Sequence, residues 1–266
     1  MPRYDFRSPR LFIDAPLKAG AVLPLDAPQV HYLVDVLRLK EGDGVLVFNG
    51  RDGEWRTSLA AVSKKKFALN ANEQTRAQTK PADLHYLFAP IKRARLDYMV
   101  QKAVEMGASK LVPVITRHTN AERVNVARML ANAIEAAEQC GILNLPEIVE
   151  PVALDKAVAA LEPERLLVFC DEEAPPGGPV AQFAEKAGLG RPSGPIDGNK
   201  CTDNRSSSVM LAALIGPEGG FSDDERRLMM ARPNTRRISL GPRILRADTA
   251  AVAALALIQA TLGDWR

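Results

Sequence analysis

Cysteine, histidine and tryptophan are all scarce in this chain. Among 266 residues there are three Cys, at 140, 170 and 201, three His and two Trp. The cysteines are odd in number and far apart, with no C-x-x-C pair and no neighbouring histidines. That spacing argues against both a zinc site and a disulfide framework, and no metal is expected. Reduced thiols and a cytoplasmic location fit best. The first ten residues, MPRYDFRSPR, are charged and lack an apolar core, so they do not read as a secretory signal. The longest strongly apolar stretch, Ala250 to Ile258, is too short to span a membrane. No G-x-S-x-G is present, which leaves a hydrolase without support. Neither a Gly-Lys-Ser/Thr phosphate loop nor G-x-G-x-x-G occurs, so the common nucleotide fingerprints are missing.

What remains is ordinary globular material, 46% hydrophobic and 25% charged. A net charge of +3 does not by itself point to nucleic acid. The chain is long enough for two modest domains, and two grammars are visible in it. Residues 1–75 read as β-rich: Arg10–Ile13, Gly44–Phe48, Glu54–Val62 and Lys66–Leu69 are extended runs, and Asn49–Gly53 is a hairpin signal. One short helix is expected at Val30–Arg38, where Val30, Leu33, Val34 and Leu37 recur at helical spacing. Short strands with frequent turns suggest a small barrel.

Residues 74–83, QTRAQTKPAD, are polar and suggest a linker, placed at 76–83. From 84 to 266 strands alternate with helices. Strands are expected at Leu84–Ile91, Lys110–Ile115, Glu147–Val149, Arg165–Cys170, Val209–Ile215 and Arg237–Leu240. Helices are expected at Arg93–Met106, Val124–Cys140, Leu154–Leu161, from about Asp223, and at Thr249–Leu262. This order predicts an α/β domain with a mostly parallel sheet. Residues 173–208, rich in Pro, Gly, Ser and Asn, read as a long loop or partly disordered insertion.

Two late strands run into glycine loops, LIGPEGG at 214–220 and LGPRILR at 240–246. Ligands bind outside the carboxyl ends of parallel strands, and glycine lets them approach the backbone. Either loop also reads as a plain strand-to-helix turn, and glycine content alone does not separate the two. Arg243 and Arg246 lie in the second loop, as surface charges or as functional groups. Lys92, Arg93 and Arg95 crowd a helix start, where cations oppose the helix dipole; the run reads as a solvated charge cluster or as groups that hold an external anion. Arg117, His118 and Arg123 follow the next strand, on the same edge. Arg10, Arg38, Lys40 and the Lys64–Lys66 run are basic spots in the first domain. His31 and His85 read as structural, and Glu135 and Glu138 as packing or ion-pair residues.

Taken in order, these pieces resemble the RsmE family, bacterial methyltransferases that modify N3 of a uridine in 16S ribosomal RNA. The run HYLVDVLRLKEGD at 31–43 is similar to the family's N-terminal PUA-like RNA-binding barrel, and DYMVQKAVEMG at 97–107 to its first methyltransferase helix. EAAEQCG at 135–141 with PEI at 146–148, IGPEGGFS at 215–222 and SLGPRILR at 239–246 complete the resemblance, which runs almost end to end.

The resemblance implies a PUA-like barrel followed by a SPOUT-class α/β domain with a deep trefoil knot, working as a homodimer on 16S ribosomal RNA of the small ribosomal subunit. It implies S-adenosyl-L-methionine as cofactor and S-adenosyl-L-homocysteine as product. Cofactor contacts would fall on Leu214, Gly216, Pro217, Glu218, Gly219, Gly220, Leu240, Gly241 and Leu245. Arg246, Arg243 and Glu218 become catalytic candidates. Arg10, Arg38, Lys40, Lys92, Arg93, Arg117 and Arg123 become RNA-binding candidates. For dimerisation, the last helix offers Val252, Leu255, Ala256 and Ile258. Two departures stand out: Ala247-Asp248-Thr249-Ala250 where the family commonly has Thr-Glu-Thr-Ala, and Ile142 where many members carry a basic residue. A non-catalytic RNA-binding factor, or a related enzyme acting on transfer RNA or a ribose 2′-OH, remain the rival readings.

Overall fold

The structure is a computed structural model that describes residues 5, 7–63, 66–120, 123–175 and 209–265. Residues 176–208, most of the expected insertion, lie outside the described residues, as do Lys64, Lys65 and Cys201. The chain divides into two compact units. One comprises Met1–Lys80 with Ile134–Leu145, the other Pro81–Ala133 with Pro146–Arg266.

In the first unit, β1 (Arg10–Phe12), β2 (Val22–Pro24), β3 (Gly44–Phe48), β4 (Glu54–Ser63) and β5 (Lys66–Arg76) form one sheet in the order β1-β3-β4-β5-β2. Only β1 and β3 run parallel; the other pairs are antiparallel. Alternation along β3 and β4 aims Val45, Val47 and Leu59 into a core with Leu11, Leu23, Leu33 and Leu69. The polar end of β5, residues 74–76, reads as the start of a linker in sequence, yet it pairs with β4 as far as Arg76. Backbone pairing there outweighs composition. The segment expected as one α-helix at 30–38 is instead a short α1 (Ala27–Val30) followed by a π-helical turn, His31–Val36. Asp26 and Gln29 cap α1 reciprocally, and the wider turn bonds Leu37 N–H to Tyr32 O. A 3.6-residue spacing does not register that widening.

Arg10 is not RNA-facing. Its side chain is buried, ion-paired through Nε to Glu54 Oε2 at 2.7 Å and stacked on the Phe48 ring. Its remaining N–H groups donate to the carbonyls of Ala137 and Ile142. Arg76 reaches the same carboxylate at 2.6 Å and donates to Gly141 O. Glu138 accepts a hydrogen bond from Phe12 N at 2.8 Å, a packing role rather than acid/base work. These contacts place the second half of the long helix in this unit.

The second unit contains β6 (Leu84–Phe88), α2 (Arg93–Glu105), β7 (Lys110–Ile115), α3 (Val126–Cys140, its second half belonging to the other unit), β8 (Glu147–Ile148), β9 (Val152–Ala153), α4 (Leu154–Ala159), β10 (Leu166–Cys170), β11 (Leu211–Ile215), α5 (Asp223–Met230), β12 (Thr235–Ile238) and α6 (Ala247–Thr261). All its strand pairs are parallel, in the order β12-β10-β11-β6-β7-β8, with β9 also on β7. One face buries Leu87, Val112, Leu167, Phe169 and Leu214 against α4 and α5 residues including Val158 and Met229. Each such side chain contributes roughly 1.5–3 kcal/mol by leaving water. On the other side, α6 packs on α2 and β11. Arg165, almost wholly buried, joins Asp83 and Glu162, each at 2.7 Å, and donates to Leu211 O, so it ties the start of β10 to the start of β6 across β11.

The last strand occupies 235–238, two residues earlier than expected. Ile238 is its last rung on β10, and Ser239 and Leu240 have already left the sheet. In α6, Leu255 and Ile258 are fully buried within this chain, so half of the proposed dimer stripe is spent on its own fold. Val252 and Ala256 stay half-exposed.

Candidate functional site

The carboxyl ends of β10, β11 and β12 are adjacent in the sheet, so the segments leaving them meet. They enclose a cavity of about 360 Å³. Asp171 and Glu172 enter from β10, and Gly216, Pro217, Glu218 and Gly219 from β11. Leu240, Gly241, Arg243 and Leu245 enter from the loop after β12, and Ala247 and Ala250 of α6 close one side. The two glycine loops, far apart in sequence, therefore wall one pocket at the sheet edge where α/β proteins hold ligands.

Most of the candidate cofactor residues line this cavity, but Leu214 does not. It lies inside β11, fully buried in the core with Leu87 and Phe169. Its neighbour Ile215, on the opposite face, lines the cavity instead. Gly220 stands behind the wall at φ +68°, and a Cβ there would fall 2.1 Å from Glu172 Oε1. At Gly216 a Cβ would fall 2.4 Å from the Phe221 ring, which packs edge-to-face on Phe169 at 5.0 Å. The first loop needs glycine at Gly216 because a ring occupies the space a side chain would take, and at Gly220 because of its positive φ, while the Glu172 carboxylate would have to swing aside. Beyond it, Ser222 and Glu225 form the capping box of α5. Glu225 also accepts a hydrogen bond from Arg117 N, and His118 Nδ1 lies 3.3 Å from Gly220 O, docking the β7 loop on this wall.

The cavity carries charges of both signs, with Asp171, Glu172 and Glu218 lining it beside Arg243. Asp171 has no exposed side-chain surface and is held by Arg237 at 2.7 Å and Arg226 at 3.2 Å. Arg226 extends to Glu172 and Glu173. Glu218 pairs with Arg95 at 2.6 Å. Burial, then Asp171, pushes the Cys170 thiol up to about 12, so this cavity-lining sulfur is not a nucleophile. Burial likewise holds the Tyr86 phenol well above its ordinary value, with Cys170 and Asp248 adding to it. Arg243 and Arg246 have no ion-pair partner among the described residues, and Arg246 is exposed at the N-cap of α6, outside the cavity lining. No group of three or more His, Cys, Asp or Glu among the described residues is arranged to hold a metal, and none of their helices is long and apolar enough to cross a membrane.

A larger cavity of about 1120 Å³ shares Pro217 and Glu218 with the first. Lys92, Arg95, Asp97, His118, Arg123 and Arg128 line it. Lys92 and Arg123 are thus brought beside the glycine loops; Arg117 is exposed but does not line either cavity. The Arg93 side chain lies outside the described residues. Arg38, at φ +58°, and Lys40 are exposed in the other unit. The sequence reading missed Asp171 and Glu172, and it placed Arg95 in a basic run without its partner Glu218. An acidic pair directly after a parallel strand is the signal that marks the first two.

Known proteins match this arrangement. An RNA methyltransferase domain family model matches residues 78–259, and an RNA methyltransferase PUA domain model matches 25–70. Ribosomal RNA small subunit methyltransferase E of Rickettsia conorii is 30% identical over 251 residues, covering 94% of each chain. The crystal structure of the Neisseria gonorrhoeae ribosomal RNA small subunit methyltransferase E bound to S-adenosyl methionine superimposes with a TM-score of 0.79 at 23% identity, over 98% of this chain and 100% of that one. A Legionella pneumophila methyltransferase structure in complex with its cofactor SAM gives 0.74 at 28% identity, over 96% and 98%. With a family model spanning well over half its length and a relative at 30% identity across nearly all of it, the chain belongs to the ribosomal RNA small subunit methyltransferase E family.

Proposed function

We propose that this protein transfers the methyl group of S-adenosyl-L-methionine to N3 of a uridine in 16S ribosomal RNA of the small ribosomal subunit. The observation that carries this reading is the convergence of both glycine loops on one cavity. The residues present suit such a ligand. The volume is within the range for small-molecule sites, glycine backbone is open to close approach, and the Glu172 and Glu218 carboxylates with the Arg243 guanidinium suit a ligand that carries charges of both signs. The cofactor supplies an activated methyl group on a sulfonium.

Gly216, Pro217, Glu218, Gly219, Leu240, Gly241 and Leu245 are assigned to holding the cofactor, and Gly220 to shaping their loop. Uridine N3 carries a proton that must leave before or during attack, so the protein must favour the anionic base and hold it in line. Arg246, with Arg243, stabilises that developing charge, and Glu218 orients groups at the shared edge of the two cavities. Lys92 and Arg123 take RNA phosphates in the larger one. Residues 1–75 act as the PUA-like RNA-binding domain, 76–83 as linker and 84–266 as the SPOUT domain, with the trefoil knot at the glycine loops. The protein acts as a cytoplasmic homodimer, and sedimentation as a monomer at micromolar concentration would remove the dimer from this reading.

Two measurements test the function. S-adenosyl-L-methionine or S-adenosyl-L-homocysteine must raise the melting temperature, because a ligand that binds only the native state stabilises it. Mass-spectrometric mapping must find a methyluridine in 16S ribosomal RNA that disappears when the gene is deleted. A scaffold that only binds RNA would give neither result.

A further inference from the structure

Arg95 occupies an awkward place. It stands in the first turn of α2, which has no acidic residue and no side-chain cap at Lys92. Cations there face the positive end of the helix dipole. Its compensation comes from two other elements. Arg95 Nη1 donates to Glu218 Oε1 of the first glycine loop at 2.6 Å, across 123 residues of sequence. Arg95 Nε stands 4.0 Å from Asp248 Oδ2, in the first turn of α6 just past the second loop. Glu218 lines both cavities, and Arg95 lines the larger one.

We propose that Arg95 is a positioning residue that ties the two glycine loops together, setting the cavity mouth through Glu218 and Asp248. This rests on the reading of that cavity as the cofactor site. The planar guanidinium suits the task because its N–H groups diverge toward both carboxylates, which a single ammonium cannot match in geometry. The contact to Asp248 is at the outer limit of an ion pair. The Arg95 and Glu218 side chains are 39% and 64% exposed, so the pair adds little to global stability. Its effect is therefore expected in ligand affinity, where loop geometry counts, rather than in the melting temperature.

The experiment is calorimetric titration of S-adenosyl-L-methionine into wild type, Arg95→Ala, Arg95→Lys, Glu218→Gln and the Arg95→Ala/Glu218→Gln double variant, with melting temperatures alongside. Arg95→Ala is expected to weaken cofactor binding by about fivefold at a nearly unchanged melting temperature. Lys should rescue this only in part. Glu218→Gln, which also alters a cavity-lining carboxylate, should lose at least as much, and the double variant should be no worse than Glu218→Gln alone, because Arg95 acts through Glu218. Unchanged affinity in Arg95→Ala, additive losses in the double variant, or lost RNA methylation with cofactor affinity intact would each overturn the proposal. A wild type that fails to bind S-adenosyl-L-methionine would instead overturn the reading of the cavity itself.

Discussion

Arg237 Nε stands 2.7 Å from Asp171 Oδ2, on a carboxylate with no exposed side-chain surface, and the pair holds the carboxyl ends of β12 and β10 side by side. Arg226 approaches the same carboxylate from α5 and carries Glu172 and Glu173 on its far side. One buried acid thus anchors a strand, a helix and the acidic edge of the cavity. Asp171→Ala should destabilise the protein by about 3 kcal/mol, the low end for breaking a buried pair, because both arginines retain some access to water. Denaturant titration measures this. A loss below about 1 kcal/mol would show that the arginines need no partner there.

Gly220 and Glu172 compete for one space. Gly220→Ala would place a methyl group 2.1 Å from the Glu172 carboxylate, at a φ of +68° that costs an L-residue about 1–2 kcal/mol. The expected result is weaker cofactor binding together with a modest loss of stability. Adding Glu172→Ala should recover the part due to the clash and leave the part due to φ. If the double variant is no better than Gly220→Ala alone, the carboxylate is not what Gly220 accommodates.

Stability in acid should follow Glu54. Burial alone raises this carboxyl, but hydrogen bonds from Arg76 and then Arg10 outweigh it and hold it below its ordinary 4.5. A carboxyl lowered in the fold contributes its stability fully above the unfolded value and loses it as pH falls through the folded one. Wild-type stability should therefore drop below about pH 4.5. Glu54→Gln should be less stable at neutral pH and lose less on acidification. An unchanged acid slope in that variant would assign the loss to other groups.

Glu138 carries the opposite sign. Burial raises its carboxyl, with Glu135 adding to this and the Phe12 N–H and Arg10 opposing it. A raised carboxyl subtracts stability above its folded value, and the penalty fades as pH falls through it. Glu138→Gln, whose amide oxygen still accepts from Phe12 N, should raise the neutral-pH melting temperature. A lower one would mean that the charge itself supports the Arg10 site.

Much of the second unit is legible because its determinants are local. Apolar spacing marks α2 and α6, and the strand-to-glycine junctions mark the two loops. What the sequence hides depends on distant partners. Arg10 reads as a surface cation because the residues that bury it, Glu54 and Ala137, are 44 and 127 positions away. Arg95 gives no hint of Glu218 for the same reason. Leu214 sits in the loop motif but on the core side of its strand, since alternation sends only its neighbour to the cavity. The late end expected for β12 follows from Leu240, whose apolar side chain serves the cavity rather than the sheet.

The role proposed for Arg246 separates transfer from mere binding and can be tested as such. Its side chain is exposed at the N-cap of α6, without an ion-pair partner among the described residues and outside the cavity lining. A cation in that place is free to meet an incoming base without disturbing the cofactor pocket. Removing one group that stabilises developing charge typically costs a factor of about 100 to 1000 in rate. Arg246→Ala should therefore cut methyl transfer to small-subunit RNA by about 100-fold or more while cofactor affinity stays within about twofold of wild type. Arg243 lines the cavity, so Arg243→Ala should weaken the cofactor as well. Arg246→Lys should restore part of the rate, since charge survives but the planar fork does not. Full methylation by Arg246→Ala would remove this residue from the reaction and leave Arg243 or a second copy of the chain to stabilise the uridine anion.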